Sequence, residues 1–156
     1  MMKNDKKKVF SIRPVWGLIC SSASIDQESN NISLFNIISQ INIFEKAFPQ
    51  ENKNNKLPFN HELVVLFRRI LNIDIDNKEF SVDVKLELVD PNGKILTETI
   101  APLIFKKNKR QMRFVIRMDS FIYTIPGDYL YKISVKQLND KSFKISHEIP
   151  LEVKSV

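Results

Sequence analysis

FSVDVKLELVDPNGKILTETIAPLIF, residues 80–105, is the stretch whose reading decides the fold of this chain. Phe80, Val82, Val84, Leu86 and Leu88 alternate with Ser81, Asp83, Lys85 and Glu87. A strand turns successive side chains to opposite faces of its sheet, so one row packs on a core while the other meets water. That is the pattern of a half-buried antiparallel strand. Asp90, Pro91, Asn92 and Gly93 follow. Proline presets a negative φ and Asn-Gly accepts a positive one, so these four residues predict a turn, with residues 95–105 returning as the partner strand.

The same period extends outward from this hairpin. Met112, Phe114, Ile116 and Met118 alternate with Arg113, Val115 and Arg117, and Tyr129, Tyr131, Ile133 and Val135 alternate with Lys132, Ser134 and Lys136. Pro126, Gly127, Asp128 and Tyr129 lead into the second of these strands, and a turn feeding a strand through Gly-x-Tyr is the corner signature of immunoglobulin-like sandwiches. Phe143, Ile145, His147, Ile149, Leu151 and Val153 form a last strand. Pro150 on its other parity predicts an edge strand, because proline donates nothing to a ladder. In the N-terminal half, residues 9–22 and 32–44 are extended, and the apolar phase slips between Leu34 and Ile37, which predicts a bulge near Asn36. Residues 50–56 read as a polar loop. Residues 63–71 are nearly all apolar apart from Arg68 and Arg69, as in a strand central to its sheet, with a short helix as the alternative. The expected class is all-β: an immunoglobulin-like antiparallel β-sandwich of about eight strands, with a basic tail over residues 1–8 and one domain over 9–156.

The 156 residues suffice for one core without disulfides or metals, since a chain of this length buries roughly 70% of its unfolded surface. Hydrophobic residues at 43% and charged residues at 27% are ordinary globular values, which sets aside disordered and membrane-spanning classes. One cysteine cannot close an internal disulfide, so the fold does not need an oxidising compartment. Lys3, Lys6, Lys7 and Lys8 ahead of an apolar stretch imitate a signal peptide, but Arg13 and Pro14 interrupt it, and Ile19 is too bulky to precede a processed cysteine. A cytoplasmic protein is expected.

Cys20, Ala23 and Asp26, then Ser33, Leu34, Phe35, Ile37 and Ile38, then Phe48 and Pro49, then Val84 to Leu88 with the turn at Asp90 to Gly93, then Gly127, Asp128 and Tyr129 occur in an order that resembles a family of small uncharacterised bacterial β-sandwich proteins. The likeness runs over most of the chain. It implies the fold and a bacterial cytoplasmic setting, and brings no catalytic residue or cofactor.

No pattern of residues supplies a catalytic or metal-binding constellation. His61 and His147 are far in sequence from Cys20, so zinc would need carboxylates from distant loops; one loop histidine and one in the core or at a strand end are expected. Cys20 reads as a small buried hydrophobe rather than a nucleophile. Asp74, Asp76 and Glu79 crowd a turn without the glycine and long loop of a calcium site. Trp16 reads either as the large core residue of a sandwich or as an exposed anchor for a partner, and its parity with Leu18 and Cys20 favours the core. The formal charge of +6 is the one compositional lean. Lys106, Lys107, Lys109 and Arg110 cluster in a loop, and Arg113, Arg117, Lys132 and Lys136 make one cationic face if their strands are neighbours, suited to phosphate backbones. Outward aromatics for base stacking are missing from the regular strands, which also disfavours a carbohydrate platform. The expected function is therefore non-enzymatic: an interaction module or accessory subunit of a larger assembly that contacts a protein partner, or itself, through Ile145, Ile149 and Leu151 on the predicted edge and through Phe44, Phe48 and Phe59. Nucleic-acid binding through the eight cations is the alternative. No cofactor, small-molecule substrate or membrane is expected.

Overall fold

The computed structural model describes residues 11–44, 55–70, 78–137 and 140–156, and these form nine strands. In chain order they are β1 (Ser11–Ile25), β2 (Ile32–Ile37), β3 (Gln40–Ile43), β4 (Lys56–Ile70), β5 (Phe80–Val89), β6 (Ile95–Phe105), β7 (Gln111–Ile122), β8 (Gly127–Lys136) and β9 (Lys144–Ser155). Two sheets pack as a sandwich, a four-stranded one ordered β2-β1-β4-β7 and a five-stranded one ordered β3-β9-β8-β5-β6. No helix among the described residues is long and apolar enough to cross a membrane. The predicted tail over residues 1–8 lies outside the described residues.

The hairpin at residues 80–105 forms as its alternation requires. Val82 lies opposite Leu103, Val84 opposite Ala101 and Leu86 opposite Thr99. Asp90 holds the turn, its Oδ1 accepting the backbone N–H of Asn92 at 3.0 Å and of Lys94 at 2.9 Å. These bonds favour the ionised carboxyl and hold its pKa below the ordinary value. The predicted corner closes beside it. Tyr129 is fully buried, and its hydroxyl donates to the Ile125 carbonyl at 2.8 Å while accepting from the Thr124 and Ile125 N–H groups at 2.9 and 3.2 Å. That reach back along the chain is the tyrosine corner of such sandwiches. Thr124 Oγ1 also donates to Asp90 Oδ2 at 3.0 Å, so the β5–β6 turn and the β7–β8 corner lock together.

Between the sheets, Ile19, Leu63, Val65, Phe67 and Phe121 meet Val84, Leu88, Tyr131, Ile133, Ile149, Leu151 and Val153. Each fully buried apolar side chain contributes about 1.5–3 kcal/mol. β4 is central in its sheet, as residues 63–71 predict, and the strand starts at Lys56, inside the segment expected to be a loop. Its two arginines part company. Arg68 is exposed, whereas Arg69 points inward at 2% exposure, its guanidinium 4.6 Å from the centre of the Phe80 ring and bonded to the Lys78 carbonyl at 3.2 Å. A guanidinium over an aromatic face can be buried where an ammonium could not.

Three expectations need correction. The run 32–44 is two strands rather than one with a bulge: Asn36 adopts φ 49°, the Ile38 N–H bonds to the Ile19 carbonyl in one sheet, and Ser39 accepts from Glu152 in the other. The phase slip thus marks a change of sheet. β3 then runs parallel to β9, so the sandwich is not wholly antiparallel. For the same reason β9 is no edge along its last turn of ladder, since β3 covers Glu152 to Ser155. Pro150 precedes that stretch, opposite Leu130 of β8.

Candidate functional site

The direction in which β1 faces determines the outside of the four-stranded sheet. Pro14 lies opposite Phe67 and Trp16 opposite Leu66, so Val15 is an extra residue and the alternation shifts there. Beyond it, Gly17 and Ile19 lie opposite Val65 and Leu63. A Cβ on Gly17 would stand 2.8 Å from His147 Cδ2 and 2.9 Å from Ile149 Cδ1, so this row points into the sandwich and the glycine permits the close approach of β9. Trp16, Leu18 and Cys20 therefore point outward. The three do share parity, but the bulge turns all of them outward, so of the two readings of Trp16 the favoured core position is overturned.

The register extends this outer face across the sheet. Trp16 leads to Leu66 and Arg113, Leu18 to Val64 and Val115, and Cys20 to Glu62 and Arg117, with Ile37 beside Cys20 and Phe35 beside Ser22. Phe35 is 51% exposed and Ile37 66% exposed, while Trp16, Leu18 and Leu66 are half-buried. Neighbours fully cover Cys20 and Val64 at the centre of the strip. Burial, then the Glu62 carboxylate, pushes the Cys20 thiol up, so it stays protonated and inert. Glu62 accepts from Arg117 Nε and from the Ala23 N–H, each at 2.9 Å.

The other outer face exposes Ile100 and Ile104 on its β6 margin but is charged at its centre. On the five-stranded sheet, Asp83 lies opposite Lys136, and Lys132 lies between Glu87 and Glu148, with its Nζ 3.9 Å from the Glu148 carboxylate. Lys85 Nζ stands 3.1 Å from Glu87 and 3.8 Å from Glu98. Opposite charges interleave. The single cationic face expected from Arg113, Arg117, Lys132 and Lys136 therefore does not exist: β7 pairs with β4 and β8 with β5 and β9, which puts the two pairs of cations on opposite sides of the molecule. Arg117 is bound to Glu62, and Arg113 donates to the backbone carbonyl and side chain of Asn30. Lys106, Lys107, Lys109 and Arg110 do stay together, all exposed in the β6–β7 turn, where Asn108 takes φ 62° and the Arg110 carbonyl accepts the Arg69 N–H at 2.8 Å.

The predicted partner contacts scatter. Ile149 and Leu151 are buried between the sheets, because the inward parity of β9 belongs to the core, and neither side chain can reach a partner. Ile145 lies opposite Ser134 on the ladder, with its side chain outside the described residues, as is Phe48. Phe44 is exposed and Phe59 half-buried, and both line an apolar pocket of about 220 Å³ with Ile41, Leu57 and Phe121.

A larger cleft, about 620 Å³, opens between the sheets where β6 and β7 end them. Thr97 and Thr99 of β6 face Ile116, Met118 and Ser120 of β7, and at its floor lie His61 and Tyr131. Neither histidine occupies a loop, contrary to expectation: His61 is in β4 at 1% exposure and His147 in β9. His61 Nδ1 donates to the Phe59 carbonyl at 2.8 Å, which leaves Nε2 to accept from the Tyr131 hydroxyl at 2.8 Å. Burial pushes the His61 pKa down and the Tyr131 pKa up, so both are neutral. With both ring nitrogens engaged, the pair ties β4 to β8 and offers no spare base. Among the described residues no three His, Cys, Asp or Glu side chains converge as metal ligands; Asp74 and Asp76 lie outside them.

No protein-family model matches the chain, and no curated protein matches it. Among solved structures it is similar to a β-glucuronidase from glycoside hydrolase family 2, with a TM-score of 0.43 and 13% identity. The match covers 66% of this chain and 10% of that one, so the chain spans about a tenth of the enzyme's length.

Proposed function

We propose that this protein is a non-enzymatic interaction module, an accessory subunit of a bacterial cytoplasmic assembly, and that it docks a protein partner on the outer face of the β2-β1-β4-β7 sheet. The observation that carries this reading is the outward apolar strip of Trp16, Leu18, Leu66, Val115, Ile37 and Phe35. Apolar side chains gathered on an outer face mark an interaction site, here around Cys20 and Val64 that are themselves covered, and tryptophan is among the residues enriched where binding energy concentrates. The lone cysteine suits a reducing compartment, and the resemblance to small bacterial β-sandwich proteins belongs to the same reading.

The test is affinity capture from the bacterial host after nuclease treatment, with native protein and with Leu18→Asp. A defined protein partner retained by the first and lost by the second is the expected result. Equal retention by both sinks the assignment to this face.

One observation favours a second reading. Lys106, Lys107, Lys109 and Arg110 remain clustered and exposed, as a phosphate-backbone contact needs, although Lys132, Lys136, Arg113 and Arg117 no longer join them on one surface. Reversing those four loop charges should then abolish a nuclease-sensitive, salt-sensitive retention of nucleic acid. Unchanged retention removes the loop from consideration.

A further inference from the structure

The outer face is polarised along its strands. Arg13 and Arg68 stand directly opposite one another on the β1–β4 ladder, both exposed, and neither has an ion-pair partner among the described residues. Like charges directly opposed on a ladder repel. Arg68 is in turn opposite Gln111, and the Arg69 N–H bonds to the Arg110 carbonyl, so the Lys106–Arg110 turn abuts the same end. From there the face runs through Trp16 and Leu66 to Leu18, Val64 and Val115. Its far end is already neutralised, Glu62 being held by Arg117.

We infer that the occupant of this face is a protein segment with an acidic end and an apolar middle. Its carboxylates lie over Arg13, Arg68 and the basic turn, and its apolar side chains cover Trp16, Leu18 and Leu66. The inference rests on the reading that this face is the docking surface, and adds the chemistry of what docks. Charge complementarity is the argument: the repulsion between Arg13 and Arg68 becomes attraction once an acidic group sits between them. The chain's own N-terminal residues, with Lys3, Lys6, Lys7 and Lys8 against a single Asp5, carry the wrong sign for that end. A nucleic acid would set its phosphates over a middle that is mainly aliphatic, with Trp16 and, towards the far end, Phe35 as the rings for stacking.

Trp16 is the only tryptophan of the chain, so intrinsic fluorescence reports directly on the face. The experiment titrates the full chain with three probes: a synthetic peptide with a glutamate run followed by alternating leucines, its lysine counterpart, and oligothymidylate. The expected result is a saturable blue shift with the glutamate peptide alone, weakened by salt and weakened roughly tenfold in Arg13→Glu/Arg68→Glu. Circular dichroism of that variant confirms the unchanged fold. Equal or tighter binding of the lysine peptide overturns the inference, as does a response to oligothymidylate alone. Self-association that Leu18→Asp abolishes, with no peptide response, also overturns it by making a second copy the occupant, and leaves the docking face standing. Absence of any Leu18-dependent binding fails the docking face itself.

Discussion

The two outer faces of this sandwich are built by the same rule and end up opposite. On the five-stranded sheet, β5 and β8 set Asp83 against Lys136 and Glu87 against Lys132, so the centre of that face is a ladder of opposite charges, with Ile100 and Ile104 exposed beside it on β6. On the four-stranded sheet, β1 and β4 set Leu18 against Val64 and Trp16 against Leu66. β4 is apolar on both sides through Leu63, Val64 and Val65, all fully buried. Strands with that composition belong to sheets covered on both faces, yet in this molecule only one face is covered by the other sheet. The difference is that β1 and β4 carry apolar residues on a side the other sheet does not cover; Val64 and Cys20 are covered there by neighbours within the chain, and on the docking reading proposed above a partner covers the rest.

The sharpest way to break this comparison uses two neighbours on β1. Ile19 points into the core at 1% exposure and Leu18 points out. Ile19→Ala should lower the unfolding free energy by about 2–5 kcal/mol in urea titrations, through lost burial and an unfilled cavity. Leu18→Ser, at a half-buried outward position, should change it by roughly 1 kcal/mol or less, well below the cost of a core cavity. If the two prove equally destabilising, the outer strip is core in all but position and the contrast between faces collapses.

How far the sequence could be read follows from where its alternation stays in phase. The hairpin at residues 80–105, the Tyr129 corner and the strand at 112–118 are local patterns, and each forms as its spacing requires. What went astray depends on single residues that reset the phase. Val15 bulges β1 and sends Trp16 outward; Asn36, in the left-handed region, moves the chain from one sheet to the other. Pro14 and Gly17 were the available signals, since a proline within a strand marks irregular pairing and a glycine a close approach. The parallel pairing of β3 with β9 joins residues more than a hundred positions apart and leaves no local trace. Face assignment suffered most, because a shift of one residue exchanges every inward side chain for an outward one.

Gly17→Ala tests that phase shift directly. An added methyl would meet His147 and Ile149 across the sandwich, and overpacking at such a contact costs about 1–3 kcal/mol. If Gly17 instead pointed outward, alanine would be neutral or mildly stabilising, and Trp16 would return to the core. Thermal denaturation of the single variant is enough to separate these outcomes.

A third comparison lies within β4, where His61 faces the interior and Glu62 the outer surface. The folded-state pKa of His61 is depressed by burial, so the unfolded chain takes up this proton first as pH falls. Stability from this group is full above its unfolded pKa of about 6.5 and declines as pH drops toward the depressed folded value. His61→Gln should flatten that slope in urea titrations across the window. The aspartates held low by hydrogen bonds, Asp26, Asp90 and Asp140, act only at more acidic pH and leave the window clear. A wild-type profile that is flat through this range would mean that the His61–Tyr131 tie is not closed in solution.

The smallest effect is expected on the charged face, and its smallness is the point. Lys132 lies between Glu87 and Glu148 with about a quarter of its side chain exposed. Partly exposed pairs of this kind are worth about 0–1 kcal/mol, because water and salt screen them. Lys132→Ala should therefore shift the melting point only slightly, an effect that added salt reduces further, and partner capture should be unchanged. A lost partner with an intact fold would invert the comparison, placing the contact on the ladder of charges. The apolar strip of β1 and β4 would then need another cover, and the segment of this chain or second copy that supplies it could be found by cross-linking to Trp16.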